Sequence, residues 1–453
     1  MKVNVAGAGA GKTTSMANLI TGLDVPAGMV VFCIAFTNSA VENIQKKVEA
    51  TIGAIPNNIK IGTIHSFLYK ELIKPYYYFL FGKHFERLSS INLPENESYK
   101  RAKTSELEAD GILHISKIPE KAKWVTYKKS TDKKATKELR KQILHRFSDY
   151  CRAIFVDEAQ DIDKDMRFVL ESLEREGVEI ILYGDPKQDV KGYGQFRKII
   201  DETEDVNYIS ECHRCPQRHL LLSNILASKE EKQKAVDGNK EGSIEIVFES
   251  HIADMKRFIS EGNYGLQYIS HKNDRFNTHG EGVKGTFFET LHHEVYKAMT
   301  EKREKELSDI ELKRFAFYIT EQMLDEFDGN NASTIVSRWT NGKKLFNYNP
   351  KRYVAMIEAL QVKSDSVGNI PVVQSIEIVK GLEAERCLFI LSSDLAPYMF
   401  GDKTEDNKTK HLLYVALTRA LNHLTILITE EVEQKYQLKM IQDFFNRHIS
   451  VPL

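Results

Sequence analysis

An α/β chain with two wound-sheet cores, each broken by a helical stretch, is the fold class the sequence predicts. Three observations carry it. Short apolar, β-prone runs recur in two parts of the chain. Between them lie two long stretches, 67–149 and roughly 276–367, that lack this rhythm. A glycine–alanine loop also follows the first apolar run and opens a helical pattern. Runs of four to eight apolar residues without alternation predict parallel strands covered on both faces.

In the first part the strands are "VNVAGA", "MVVFCIAF", "NIKIGTI", "AIFVD" and "EIILYGD". In the second they are "SIEIVF", "LQYIS", "VVQSIEIV", "CLFIL" and "LTILIT". The second interruption contains "HHEVYKAMTEKREKELSDIELKRFAFYITEQMLDEF", a helical pattern with charges of both signs. In it His292 and His293 read as surface residues of a helix.

Length and composition set bounds. A chain of 453 residues corresponds to about three domains. With 42% hydrophobic and 28% charged residues it can bury a sizeable core. The net charge of -1 excludes an overall basic excess, so any nucleic acid must be held by local patches. Five cysteines, an odd number, argue against a disulfide framework and for a reducing compartment. With no leader-like segment and no run long enough to span a bilayer, the expected location is the cytoplasm.

The segment Ala6-Gly7-Ala8-Gly9-Ala10-Gly11-Lys12-Thr13-Thr14 fits a phosphate-binding loop. Glycine lets the backbone approach phosphate oxygens, and the helix that follows aims its N–H groups at them. In this pattern Lys12 reaches the β/γ-phosphates and Thr13 ligates Mg²⁺. A glycine-rich turn with an incidental lysine would need neither the strand before it nor the helix after it. "AIFVDEAQD" supplies the second half: Asp157 for the Mg²⁺ shell, and Glu158 to orient and deprotonate the attacking water. Gln188 follows another buried strand and is placed to contact the γ-phosphate. Arg214 and Arg419 are candidate donors to developing charge, since a planar guanidinium binds phosphate bidentately.

In order along the chain, these motifs resemble those of UvrD/PcrA/Rep-type superfamily 1 helicases. "AGAGAGKTT" is similar to motif I, "AFTNSAVENI" to motif Ia, and "GTIHSF" to the next DNA-contacting motif. "VDEAQD" resembles motif II, "GDPKQDVKGYG" motif III, "HRC" motif IV, "VKGLEAERC" motif V and "LLYVALTRA" motif VI. The resemblance implies two RecA-like P-loop domains with parallel sheets, each hosting a mainly helical insertion. It implies domain 1A at 1–66 and 150–228, 1B at 67–149, 2A at 229–275 and 368–453, and a reduced 2B at 276–367. It also implies ATP and Mg²⁺ between the cores, single-stranded DNA across them, and 3′-to-5′ movement. Gln188, Arg214 and Arg419 would sense the γ-phosphate, with Gly381 and Glu383 at motif V. Thr37, Asn38, Thr63 and His65 would approach the DNA backbone, and Tyr193 would stack on a base without sequence preference.

The chain departs from that family in places. No adenine-reading glutamine motif occurs in Met1–Val5, which leaves the choice of NTP open. Motif III has Tyr193-Gly194 where the family has an aromatic–arginine pair, Glu377 stands for the motif V histidine, and "KTKH" precedes motif VI. "YKELIKPYYYFLFG" resembles the compact helicase-like subunit of Gabija-type antiphage defence, which implies an OLD-family nuclease as partner. The rings of Tyr76–Phe81 otherwise read mostly as core.

Two further signals have bland alternatives. The stretch 117–146 carries eleven Lys/Arg against three Asp/Glu with Trp124 and Tyr127 interleaved, which suits a nucleic-acid flank or a solvated helix face. Cys212 and Cys215 lack a second pair for zinc and are expected to pack inside. Three functional classes stay open: a DNA-stimulated translocating ATPase, a nucleotide-gated DNA-end sensor that controls a nuclease, and a P-loop ATPase unconnected with nucleic acid.

Overall fold

The structure, a computed structural model, describes residues 1–94, 96–278, 284–301, 308–327, 331–342, 349–361 and 371–449. Two compact units form. One comprises Met1–His84, Ile118–Thr278 and Ile370–Leu453; the other comprises Phe85–Lys117 and His279–Asn369.

The first unit contains both expected sheets. Strands β1 (Lys2–Ala6), β2 (Val30–Ala35), β3 (Ile59–Thr63), β4 (Cys151–Val156), β5 (Glu179–Gly184) and β6 (Val206–Ile209) make one, ordered β3-β2-β4-β5-β1-β6. Every pairing in it is parallel. Five of the six strands match the apolar runs; β6 does not, because its half-exposed "VNYI" lies at the sheet edge. Parallel register sends all carboxyl ends to one rim, where ligands of open α/β sheets bind. Val5 pairs with Gly184, Val156 with Leu182, and Ala35 with Thr63. Helices α1 (Lys12–Thr21) and α2 (Asn38–Ile52) cover one face, burying Met16, Ile20, Ile44 and Val48 against Val31, Cys33 and Phe155.

The second sheet uses β7 (Ser243–Phe248), β8 (Leu266–Ile269), β9 (Asn277–Thr278), β10 (Val372–Ser375), β11 (Ala384–Leu391) and β12 (Ala420–Ile428), ordered β7-β12-β11-β8-β10-β9, again parallel throughout. Its helix α3 (Lys408–Leu417) is buried at every residue from His411 to Leu417, the mark of a helix enclosed on all sides. Tyr268 Oη donates to the Ala416 carbonyl at 2.7 Å and pins that helix to the sheet. Two parallel sheets flanked by helices are the RecA-like arrangement.

One expected strand is shorter than its apolar run. "VVQSIEIV" is strand only over Val372–Ser375; Ile376–Val379 is a single helical turn that buries Ile376 and Val379. The aromatic run also differs from expectation. In the short helix Lys74–Phe81 only Tyr77 is buried, while Tyr78 and Phe79 are 56% and 67% exposed. An eight-residue helix lays one face inward, so adjacent rings cannot all be core.

The basic stretch is partly structural. Arg140 is 3% exposed, donates to the Trp124 carbonyl at 3.2 and 3.3 Å, and pairs with Asp132 at 2.8 Å. All five cysteines are buried and free. Among the described residues no helix is long and apolar enough to cross a membrane.

The second unit is mainly helical. Helices Glu97–Ala109, Lys284–Glu301, Asp309–Asp325, Ala332–Ser337 and Pro350–Gln361 accompany a parallel pair, Arg87–Ser89 with Ile112–His114. Leu291, Val295, Ala316, Ile335, Trp339 and Met356 are among its core residues. Arg352 joins three segments by pairing with Glu106, Glu294 and Glu301 at 2.6, 2.9 and 3.0 Å. His292 and His293 are half-buried rather than on the surface. His292 stacks between Phe288 and Tyr296, and burial pushes His293 down to about 4.

Candidate functional site

Strand β1 ends at Ala6 and α1 begins at Lys12, so the turn between them lies on the ligand-binding rim. Gly9 and Gly11 have φ of 71° and 72°, a conformation that costs a residue with a Cβ about 1–2 kcal/mol. Gly11 is the N-cap of α1 and offers no side chain to its N–H groups. Lys12 Nζ donates to the Ala6 and Gly7 carbonyls at 3.2 and 3.4 Å, lying across the loop. Thr13 Oγ1 donates to Asp157 Oδ2 at 3.2 Å, which joins the loop to the end of β4. Ala10 is buried and Thr14 is exposed.

Asp157 is 2% exposed, and burial together with the Glu158 carboxylate raises it to about 6. Glu158 has φ 56°, left-handed backbone in a residue other than glycine. Strain of this kind costs about 1–3 kcal/mol and concentrates at functional sites. Burial pushes Glu158 up, but the Lys12 and Lys380 ammonium groups and a bond from Gln160 outweigh it and hold the carboxyl low. Gln160 also accepts from the Asp185 N–H at 3.0 Å, tying the end of β4 to the end of β5.

Asp185 is fully buried between Lys187, at 2.9 Å, and Gln188, whose Nε2 donates at 3.0 Å. The next acid, Asp189, shapes a turn through its carboxylate, which accepts N–H bonds from Gly192, Tyr193 and Gly194 at 2.9, 3.2 and 2.7 Å. That turn leaves Tyr193 42% exposed, with Lys191 Nζ 5.8 Å from its ring centre.

Residues distant in sequence close over the phosphate loop. His213 N–H donates to the Gly9 carbonyl at 2.9 Å, and a Cβ at Gly9 would overlap Arg214. Arg214 in turn donates to Glu383 at 3.0 Å and to the Thr418 carbonyl at 3.4 Å. Cys212 Sγ lies 3.1 Å from the Ala8 carbonyl, so the cysteine pair packs inside. Gln233 Nε2 donates to that same carbonyl at 3.1 Å, and Tyr414 Oη accepts the Ala8 N–H at 3.4 Å while donating to Gln233 at 3.0 Å.

Not every expected residue reaches the loop. Arg419 is 1% exposed, and its donors go to Val415 O, Leu382 O and Thr418 Oγ1 at 3.0, 3.3 and 3.0 Å. Gly381, with φ 84°, follows Lys380, which binds Asp161 at 2.7 Å. Thr37 and Thr63 sit at the carboxyl ends of β2 and β3 and cap the following helices, accepting from Ala40 and Ser66 N–H at 3.2 Å each. Asn38 is exposed beside Thr37. His65 is half-buried, and burial and Lys191 push it down. The expected DNA contacts thus share one rim with the phosphate loop. Sequence reasoning missed Asp185, Lys187, Gln233, Tyr414 and Lys380; the first two adjoin Gln188, whereas Gln233 carries no motif signal.

The chemistry of Thr13 and Asp157 suits Mg²⁺, which takes hard oxygen donors and relies on phosphates and water for the rest of its shell. Among the described residues no cluster of three or more His, Cys, Asp or Glu could hold a metal by protein alone.

Residues 1–193 match a family model described as an AAA domain. Fold and loop are those of a P-loop protein, with the matched AAA domain lying within residues 1–193. The chain is similar to Gabija protein GajB of Bacillus cereus (strain VD045), 29% identical over 236 residues that make up 49% of this chain and 45% of that protein. A crystal structure of arterivirus nonstructural protein 10 (helicase) and a complex structure of it with DNA align over 94% of this chain and 59% and 60% of theirs. Their TM-scores are 0.38 and 0.37, at 10% and 9% identity. The chain therefore spans less than half of the curated relative and less than two thirds of these helicases.

Proposed function

We propose that the chain hydrolyses ATP when single-stranded DNA is bound and moves 3′ to 5′ along it, as the helicase-type subunit of an antiphage defence complex with an OLD-family nuclease. One observation carries this reading. Arg214 touches the phosphate loop at Gly9 and bonds Glu383 and the Thr418 carbonyl, just ahead of β11 and β12 of the second sheet, so phosphate charge and the gap between sheets act on one side chain.

In this reading Gly7, Gly9, Ala10, Gly11, Lys12 and Thr14 cradle the triphosphate. Thr13 and Asp157 hold Mg²⁺, which neutralises phosphate charge. Glu158 orients the attacking water and accepts its proton; Gln188, Arg214 and Arg419 answer the departing phosphate. Gly381 and Glu383 carry that response to the strand-binding rim of Thr37, Asn38, Thr63, His65 and Tyr193. Lys12→Ala should remove nucleotide binding. Glu158→Gln should keep binding and lower phosphate release by about 10²–10⁴-fold, the usual worth of a positioned base. Turnover indifferent to added oligonucleotide, or surviving Lys12→Ala, overturns the reading.

The donors of Arg419 favour a second reading. Each of its three nitrogens already donates within its own core, so reaching a phosphate would draw the side chain off bonds it now makes. A nucleotide-gated DNA-end sensor controlling a nuclease would use that step as its trigger. Strand displacement measured beside phosphate release separates the two: hydrolysis without displacement supports the sensor.

A further inference from the structure

In the helical unit a cavity of about 1020 Å³ opens between the strand Arg87–Ser89 and the helices Lys284–Glu301 and Asp309–Asp325. Its wall combines rings and charge. On the first helix Phe288, His292 and Tyr296 follow one another at successive turns, with neighbouring planes only 12° and 16° apart. Tyr296 ends that ladder and lines the cavity. Phe317, from the second helix, lines it too and stays 48% exposed, although its ring centre lies 4.8 Å from that of Phe288. Ring surface left open beside a cavity suits a flat guest.

The charge is one-sided. Arg87, Lys297, Lys313 and Arg314 line the cavity against two carboxylates, Asp110 and Glu289. Both carboxylates are engaged: Asp110 accepts from Lys297, and Glu289 accepts from Ser90. Arg87 and Arg314 are exposed and make no ion pair among the described residues. A planar guanidinium binds a phosphate bidentately. His293 also lines the wall, and its Nε2 is buried with no hydrogen-bond partner among the described residues. A buried polar atom left in that state is costly, and a ligand group that bonds it removes the cost.

We propose that this cavity is a second nucleotide site, which takes a nucleoside monophosphate, either free or as an unpaired nucleotide of a strand. The base lies against Phe317 and Tyr296, its polar edge meets His293, and the phosphate lies with Arg87 and Arg314. A wall without rings would not select a base, and a wall without spare cations would not select a phosphate. The volume is ample for one nucleotide, since ligand sites run from about 300 to 1,000 Å³. All of the lining comes from 87–115 and 289–317, outside every helicase-like motif. The site therefore stands independently of the phosphate loop.

The test is isothermal titration of dAMP into the full chain carrying Lys12→Ala. A monophosphate lacks the β- and γ-phosphates that Lys12 is placed to reach, and the substitution weakens the phosphate loop further as a rival. Arg314→Glu and Phe317→Ala, both at exposed positions, are added singly, and melting curves establish that each variant is folded. Each should lower dAMP affinity about tenfold or more, through the lost charge-assisted bond or the lost stack. Deoxyadenosine and inorganic phosphate should each bind about tenfold or more weakly than dAMP, since each keeps only half of the contacts. A 5′-phosphorylated oligo-dA titrated in parallel separates the sources. If both substitutions weaken the oligonucleotide about tenfold while dAMP fails to bind, the guest is a nucleotide within a strand. If either substitution leaves both ligands bound as before, or if inorganic phosphate matches dAMP, the site is overturned.

Discussion

Lys380 Nζ lies 2.7 Å from Asp161 Oδ1, and this ion pair ties the loop before β11 to the turn after β4. Its side chains are only 14% and 9% exposed, so solvent screens it weakly. The same ammonium helps hold Glu158 low. Lys380→Met should let burial carry Glu158 upward. A base that must be ionised is lost as pH falls through its value, so the acid limb of hydrolysis should move to higher pH. A pH–rate profile unchanged from wild type would contradict this.

Asp157 should weaken the ligand-free protein. A carboxyl raised on folding contributes stability below its unfolded value, near 4, and loses it as pH rises through about 6. Asp157→Asn should therefore melt a few degrees higher than wild type at pH 7, should lack that pH slope, and should not hydrolyse nucleotide. Calorimetry at pH 4.5 and 7 checks it.

Gly9→Ala should unseat the arginine next to it. The new methyl meets both a positive φ and the Arg214 side chain. The conformation alone costs about 1–2 kcal/mol. Nucleotide affinity should fall far more than it does for Gly28→Ala, where φ is 86° but nothing lies within 4 Å. Equal losses at the two sites would remove the case for a tight seat.

Asp132→Ala should show that the lysine-rich stretch contains a folding element. It strips Arg140 of its carboxylate and leaves a buried guanidinium on the Trp124 carbonyl. Breaking such a pair costs about 3–5 kcal/mol. Exposed Lys141→Ala, on the same helix, should be neutral by comparison in denaturant titrations.

The sheets were legible because each central strand is an unbroken apolar run, which only a doubly covered strand needs. Strand β6 was not, since an edge strand with one half-exposed face needs no such run. "VVQSIEIV" misled because burial at Ile376 and Val379 comes from a helical turn, with spacing that a β-prone run also allows. Lys12, Thr13, Asp157 and Glu158 lie together as their motif spacing predicts, Thr13 bonded to Asp157 and Lys12 close enough to hold Glu158 low. Gln233 and Tyr414 were not legible: their role depends on lying beside Ala8, a relation that spacing along the chain does not encode.

Ala8 is held from both sides by residues 225 and 406 positions further along. During synthesis the ribosome delivers the glycine loop before Gln233, and Gln233 before Tyr414. The pocket therefore takes its final form only after Tyr414 has left the exit tunnel, and a nascent fragment that stops short of it carries an unclamped loop.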